Sequence, residues 1–220
     1  TITEQEKIRL LKKYMLEVPT VPGPRIDLTP EEQAWLAKNH TINVRFWLHV
    51  PFFYLKDGEV VGIGVDLLNK ITENTGIRFQ VENGLGRFSD VLRGLKEHKG
   101  PDLVAALMPT AEREKVILFT APYFNSPRFI FTRDDAPFVS SIKDLFDKNI
   151  AVVKDYVIHD TLVEKYPDID LLICNDNEEA LRAVSMGDAF AFIGDLVATP
   201  AMINEFGLKT LKASRPSGLP

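Results

Sequence analysis

The feature that most limits how this chain folds is a rhythm. Short apolar, β-branched runs alternate with segments of helical periodicity from about residue 42 onward. "INVRFWLHV" reads as a strand, "GVDLLNKITENTG" as a helix stopped at Gly76, "IRFQVE" as a strand, "FSDVLRGLKEH" as a helix and "DLVAAL" as a strand. The second half repeats the pattern. "RFIFTRD" and "NIAVVK" read as strands, "YVIHDTLVEKY" as a helix and "IDLLIC" as a strand. "NDNEEALRAVSMG" reads as a helix with Asn175 and Glu178 as its capping box and Gly187 as its stop. "AFAFIG" is then a strand, and "TPAMINEFG" a helix capped by Thr199 with Pro200 next. Strands separated by helices form βαβ units on mostly parallel sheets covered on both faces. Two successive sets, joined around "TAPYFNSP", make two α/β lobes.

Upstream, residues 1–18 carry Ile8, Leu11 and Met15 at helical spacing, and "VPTVPGPRID" has the composition of a linker. In "LTPEEQAWLAKN", Thr29 caps, Pro30 takes the first helical position and Glu32 completes a capping box.

Charge and side-chain inventory remove several classes of function. Across 220 residues the net charge is −5, and no Lys/Arg run offers a nucleic-acid surface. Cys174 is the single cysteine, so there is no disulfide framework and no CxxC metal site; inside "LLIC" it reads as a small buried hydrophobe. His40, His49, His98 and His159 lack metal-ligand spacing, and no cofactor motif is present. No apolar run reaches the roughly 18 residues that span a membrane, and no signal peptide is visible ahead of Thr1.

Ligands of open α/β sheets bind beyond the carboxyl ends of the strands. Four such ends stand out: His49 to Tyr54 after the first strand, Met108 to Arg113 after "LVAAL", Lys154-Asp155-Tyr156 beside "IAVV", and Asp195 after "FAFIG". Arg113 is the conspicuous one, because a cation in the first turn of a helix opposes the helix dipole. Its guanidinium can grip a carboxylate with two parallel bonds, beside the N–H groups of the turn capped by Thr110. Asp195 can accept from an ammonium, and the aromatic residues can sandwich a side chain. A small zwitterion suits that set. Plainer roles stay open for each: Arg113 pairing with Glu112, Glu114 or Asp102 at the surface, Asp195 capping the next turn, His49 as a strand-end residue, and Phe52, Phe53 and Tyr54 as core.

Taken together, these segments resemble the family 3 extracellular solute-binding domains. "VPFFYLKDGEVVGIGVDLLNKITENTGIRFQ" is similar to the family's opening, "GPDLVAALMPTAEREKVILFTAPY" to its T-x-x-R…FT-x-PY block, and "GDAFAFIGDL" to its later G-x-(a)DAyi-x-D segment. The leader and "PTAER" look most like Venus-flytrap sensor domains of bacterial transmembrane histidine kinases and diguanylate cyclases, often present in tandem. The resemblance covers residues 28–213. It implies a two-lobed, type II periplasmic-binding-protein-like α/β fold with a hinge. Residues 1–41 would be leader helix, linker and short helix from the tail of a preceding repeat, 42–125 lobe 1, 126–211 lobe 2, and 212–220 the start of a return to lobe 1 that is apparently truncated.

Carried over position by position, the resemblance implies that Arg113 binds an α-carboxylate and Asp195 an α-ammonium, from opposite sides of an interlobe cleft. Phe53 supplies the aromatic wall and Thr110 turn contacts, with Met108, His49, Lys154, Asp155 and Tyr156 completing the lining. Two departures stand out. The family's PPF is Val50-Pro51-Phe52 here, and its small Gly-Ser/Thr pair in the second lobe is Lys154-Asp155-Tyr156. The implied function is an extracytoplasmic sensor that binds an amino acid or similar carboxylate and signals by hinge closure to a cytoplasmic module. Its partners would be the ligand, a neighbouring sensor repeat, a transmembrane segment of an inner-membrane receptor and, by analogy, a second copy. Three rivals share the resemblance: a soluble binding protein of an ABC transporter, a ligandless signal-transmitting spacer, and an enzyme. The last is weak, since His49 and Asp155 are its loose candidates and no catalytic pair has the required spacing.

Overall fold

Local capping chemistry sets most helix boundaries. In the computed structural model, which describes residues 28–38 and 40–219, helix α1 (Pro30–Leu36) begins as its sequence dictates. Thr29 Oγ1 accepts from Glu32 N at 3.2 Å, and Glu32 Oε2 accepts from Thr29 N at 2.7 Å. The helix expected over residues 1–18 and the linker after it lie outside the described residues.

The described chain packs as two compact units. The first holds the residues up to Trp47, Pro51–Gly86 and Asp90–Leu107; the second holds Leu48–Val50, Arg87–Ser89 and the residues from Met108 onward. The turn carrying Arg113 lies in the second unit, where Arg113 bonds to Asp155.

In the first unit, β1 (Thr41–Trp47) runs parallel to β4 (Arg78–Gly86), with an irregularity between Val44 and Phe46. Between them lie the small hairpin β2 (Tyr54–Lys56) with β3 (Glu59–Val61) and helix α2 (Ile63–Thr75). Helix α3 (Phe88–Lys96) follows β4. Helix α2 stops at Gly76 (φ 76°), whose left-handed conformation costs glycine little. The core closes around Phe46, Phe53, Ile63, Leu68 and Val91.

"DLVAAL" departs from expectation. It forms one isolated bridge, Leu103 to Val44, rather than a strand. Beside that bridge a side chain takes a backbone N–H a ladder would use: Asp102 Oδ2 accepts from both Asn43 N (2.9 Å) and Asn43 Nδ2 (3.0 Å).

The second unit is built on a five-stranded sheet. After the single-turn helix α4 (Ala111–Glu114) come β5 (Arg128–Arg133), β6 (Asn149–Val153), helix α5 (Val157–Lys165), β7 (Asp170–Cys174), helix α6 (Asn177–Met186), β8 (Ala191–Asp195), helix α7 (Ala198–Glu205) and β9 (Leu211–Pro216). The order is β7-β6-β8-β5-β9. Strand β6 is parallel to β7 and β8, while β5 runs antiparallel to β8 and β9, so the sheet is mixed. Strand β9 forms its edge, paired with β5. All five residues of β8 are buried, as suits a central strand covered on both faces. Cys174 is buried, as its apolar run suggests.

Two caps differ from expectation. Helix α6 is capped by Asp176, which accepts from Glu179 N at 2.9 Å, one position later than Asn175/Glu178 would require. Asn175 instead bonds through N and Nδ2 to Glu179 Oε2. Helix α7 starts before Thr199, and Asp195 satisfies its first N–H groups.

Candidate functional site

Four turns of the second unit gather the charged and aromatic groups singled out by sequence. Thr110 caps the short helix α4, its Oγ1 accepting from Arg113 N at 3.2 Å. The Arg113 side chain turns inward and the residue is 3% exposed. Nη1 donates to Met108 O and Nη2 to Asp155 O, each at 2.8 Å, and Cζ lies 5.7 Å from the centroid of the Phe88 ring. Burial pulls the guanidinium pKa down, while the charges of Asp160 and Asp155 oppose that shift. The surface pairing with Glu112, Glu114 or Asp102 is not what the chain builds: among the described residues Arg113 makes no ion pair.

Asp195 ends β8 and is 7% exposed. Its Oδ1 accepts from Val197 N at 3.0 Å and Ala198 N at 2.6 Å, so it caps α7. Its Oδ2 lies 3.7 Å from Arg128 Nη1. The antiparallel register of β5 and β8 sets Arg128 directly opposite Asp195, so the pair is fixed by the sheet. Space around this corner is tight. A Cβ on Gly194 would meet Thr199 Oγ1 at 2.2 Å and Phe192 Cε1 at 2.5 Å.

Asn177 joins the third group. Its Nδ2 donates to Tyr156 OH at 2.9 Å and approaches Leu48 O and His49 Nδ1 at 3.4 Å each. Tyr156 meets Phe88 edge-on at 4.5 Å between centroids. Burial holds the His49 imidazole below its ordinary pKa; Asp195 pulls it back up and Arg128 adds to the lowering. Met108 links the two arginines, since Arg128 Nη2 contacts its sulfur and Arg113 Nη1 its carbonyl. Asp155 adopts φ 64°, an uncommon conformation for a residue with a Cβ. Lys154 is exposed.

Arg113, Asp195, Thr110, Met108, His49, Asp155 and Tyr156 thus lie in one unit, where the sequence placed Arg113 and Asp195 on opposite lobes. Phe53 does not join them. It is fully buried in the first unit, stacked on Phe46 at 4.4 Å, tilted against Trp47 at 5.4 Å and packed on Gly64, which leaves its ring no face for a ligand. Arg128, Asn177 and Phe88 escaped the sequence reading. Arg128 had a signal: it is the charge that opens the apolar run Phe129-Ile130-Phe131.

The mixed α/β architecture is that of the two-lobed periplasmic solute-binding proteins. Residues 48–199 match the bacterial extracellular solute-binding proteins, family 3, and the chain belongs to that family, whose domains are non-enzymatic. The virulence sensor protein BvgS of Bordetella bronchiseptica is 26% identical over 86% of this chain, which spans 15% of that relative. The probable amino-acid-binding protein YxeM of Bacillus subtilis is 26% identical over 76% of this chain and 63% of its own length. The crystal structure of the periplasmic VFT2 domain of Bordetella pertussis BvgS superposes with a TM-score of 0.76 at 23% identity, covering 88% of this chain and 83% of that one. These relatives make the chain a solute-sensing Venus-flytrap domain and point to a periplasmic location. Among the described residues no helix is long and apolar enough to cross a membrane, and no group of His, Cys, Asp or Glu is arranged to hold a metal ion.

Proposed function

We propose that this chain is a sensor module of an inner-membrane receptor, taking a small carboxylate on Arg113 and reporting it by hinge closure to a cytoplasmic output module through neighbouring sensor and membrane segments. The observation that carries this reading is the state of Arg113: a buried guanidinium, backed by Phe88, whose hydrogen bonds go to the neutral carbonyls of Met108 and Asp155. Carbonyls are the weaker partners. The guanidinium's bonds to carbonyls are already charge-assisted, at about 1.5–3 kcal/mol each, and a ligand carboxylate in place of the Asp155 carbonyl adds the attraction of a full opposite charge and two parallel bonds. The turn it would displace carries the unusual backbone of Asp155, and release of that turn supplies the difference between two states that a sensor needs. Thr110, Met108, His49 and Tyr156 would line the ligand, with Lys154 at the rim.

The same contact supports a second reading, in which Asp155 permanently occupies Arg113 and the domain transmits signals from a neighbour without a ligand of its own. A free-standing transporter component, as the likeness to YxeM allows, would use the same site. Calorimetric titration with a panel of amino acids and simple carboxylates separates the readings. Binding that vanishes in Arg113→Ala is the expected result. Binding that survives the substitution removes Arg113 from the site, and a silent panel favours the ligandless spacer.

A further inference from the structure

We infer that the site selects carboxylates that carry no α-ammonium group, because Arg128 already occupies the acid that would receive one. The inference rests on the proposed reading of Arg113 as the carboxylate clamp. An ammonium needs an acceptor with free lone pairs and uncompensated charge. Asp195 is already committed: Oδ1 is taken by the N–H groups of Val197 and Ala198, and the charge on Oδ2 is compensated by Arg128 Nη1 at 3.7 Å, an ion pair rather than a hydrogen bond. That arrangement is not a loose surface contact. Arg128 and Asp195 are directly paired across antiparallel strands, and their side chains are 17% and 9% exposed. Swinging the guanidinium aside would leave a buried charge without its partner.

The charges around Met108 point the same way. Two guanidinium groups converge on this residue, Arg113 on its carbonyl and Arg128 on its sulfur, and the buried carboxylate among them is Asp195. An incoming ammonium is therefore repelled by two cations and finds one neutralised acid, whereas a carboxylate is attracted by both cations. Asp155 and Asp160 also act on Arg113, but Asp155 is partly exposed and the Asp160 side chain is 56% exposed, so water screens both from a ligand. His49 supplies no negative charge, and burial keeps its imidazole neutral near pH 7.

Matched pairs that differ only in the ammonium test this directly: succinate against aspartate, glutarate against glutamate and propionate against alanine, titrated calorimetrically into the chain. In each pair that binds, the member without the ammonium should bind at least tenfold tighter. Arg128→Gln frees Asp195 and should narrow or invert the ratio, while Arg128→Lys should keep its direction. Urea midpoints establish that each variant is folded, and the parent ratio decides the matter even where a variant is not. Tighter binding of the amino acids by the parent overturns the selectivity and leaves the carboxylate clamp standing. A ratio unchanged in folded Arg128→Gln removes Arg128 as its cause. No binding by any of the six overturns the clamp itself and this inference with it.

Discussion

Two turns of the second unit each bury one charge where a helix begins, and they treat it in opposite ways. At the Thr110–Arg113 turn the charge is a cation held by two neutral carbonyls, from Met108 and from the strained Asp155. At the Asp195–Ala198 turn the charge is an anion that complements the helix N-terminus, bonded to two backbone N–H groups and matched by Arg128. The second turn compensates its charge, and Gly194 lets Thr199 and Phe192 close over it. The first leaves the guanidinium with partners that a carboxylate outbids. On the proposed reading one corner is architecture and the other is the binding corner, although family likeness alone would give both the same task.

The largest expected effect is on the architectural side. Asp195→Ala removes a helix cap and strands Arg128, and should lower unfolding stability by about 3–5 kcal/mol in urea titration. A loss below about 1 kcal/mol would mean that the pair is not structural, and the contrast between the two turns would collapse. Arg113→Ala should cost less, about 1–3 kcal/mol, because it removes two hydrogen bonds to carbonyls of partly exposed residues and leaves no charge stranded. A larger loss for Arg113→Ala than for Asp195→Ala reverses the assignment of roles.

What the sequence disclosed follows the same division between local and distant chemistry. The Thr29/Glu32 box and the Gly76 and Gly187 stops depend on neighbours within a few residues, and all three are built as read. The pair of Arg128 and Asp195 depends on β5 lying antiparallel beside β8, which alternation of strands and helices does not reveal. Phe52, Phe53 and Tyr54 are three aromatics in a row. Which of them faces a core is decided by Phe46 and Trp47 from another strand, and periodicity is silent about that. "DLVAAL" has the composition of a strand, yet Asp102 captures the N–H of Asn43 by a contact no apolar pattern records. Arg113 was legible as an oddity because a cation in a helix's first turn contradicts a local rule. Its carbonyl partner at Asp155 was not legible, since only the folded chain brings the two together.

A smaller effect probes Asp155 itself. Its φ of 64° is affordable for Asp and costly for a β-branched residue. Asp155→Val should lose about 1–2 kcal/mol of stability in urea, whereas Asp155→Gly should stay within about 1 kcal/mol of the parent. The glycine variant also sharpens the contrast between the turns. It keeps the carbonyl that Arg113 holds but loosens the segment presenting it, so carboxylate binding should tighten. Equal behaviour of the two variants would mean that the backbone of this turn is not under strain.

The smallest expected effect comes from His49, whose imidazole feels the architectural pair: Asp195 raises its pKa and Arg128 lowers it, while burial, the dominant cause, lowers it further. The folded value thus lies below the ordinary one of about 6.5, so across the interval between them the unfolded chain binds more protons. Stability is then full above about pH 6.5 and declines as pH falls through that value toward the folded one. Urea midpoints measured between about pH 5 and 7.5 should show this decline in the parent and a flatter profile in His49→Asn. Arg128→Gln should flatten it as well. Removing the guanidinium lets Asp195 act on the imidazole unopposed, which raises the folded pKa toward the unfolded one. A steeper profile in that variant would show that Arg128 and Asp195 do not act on His49 as a compensating pair, and would separate the architectural corner from the aromatic cluster around Tyr156 and Asn177.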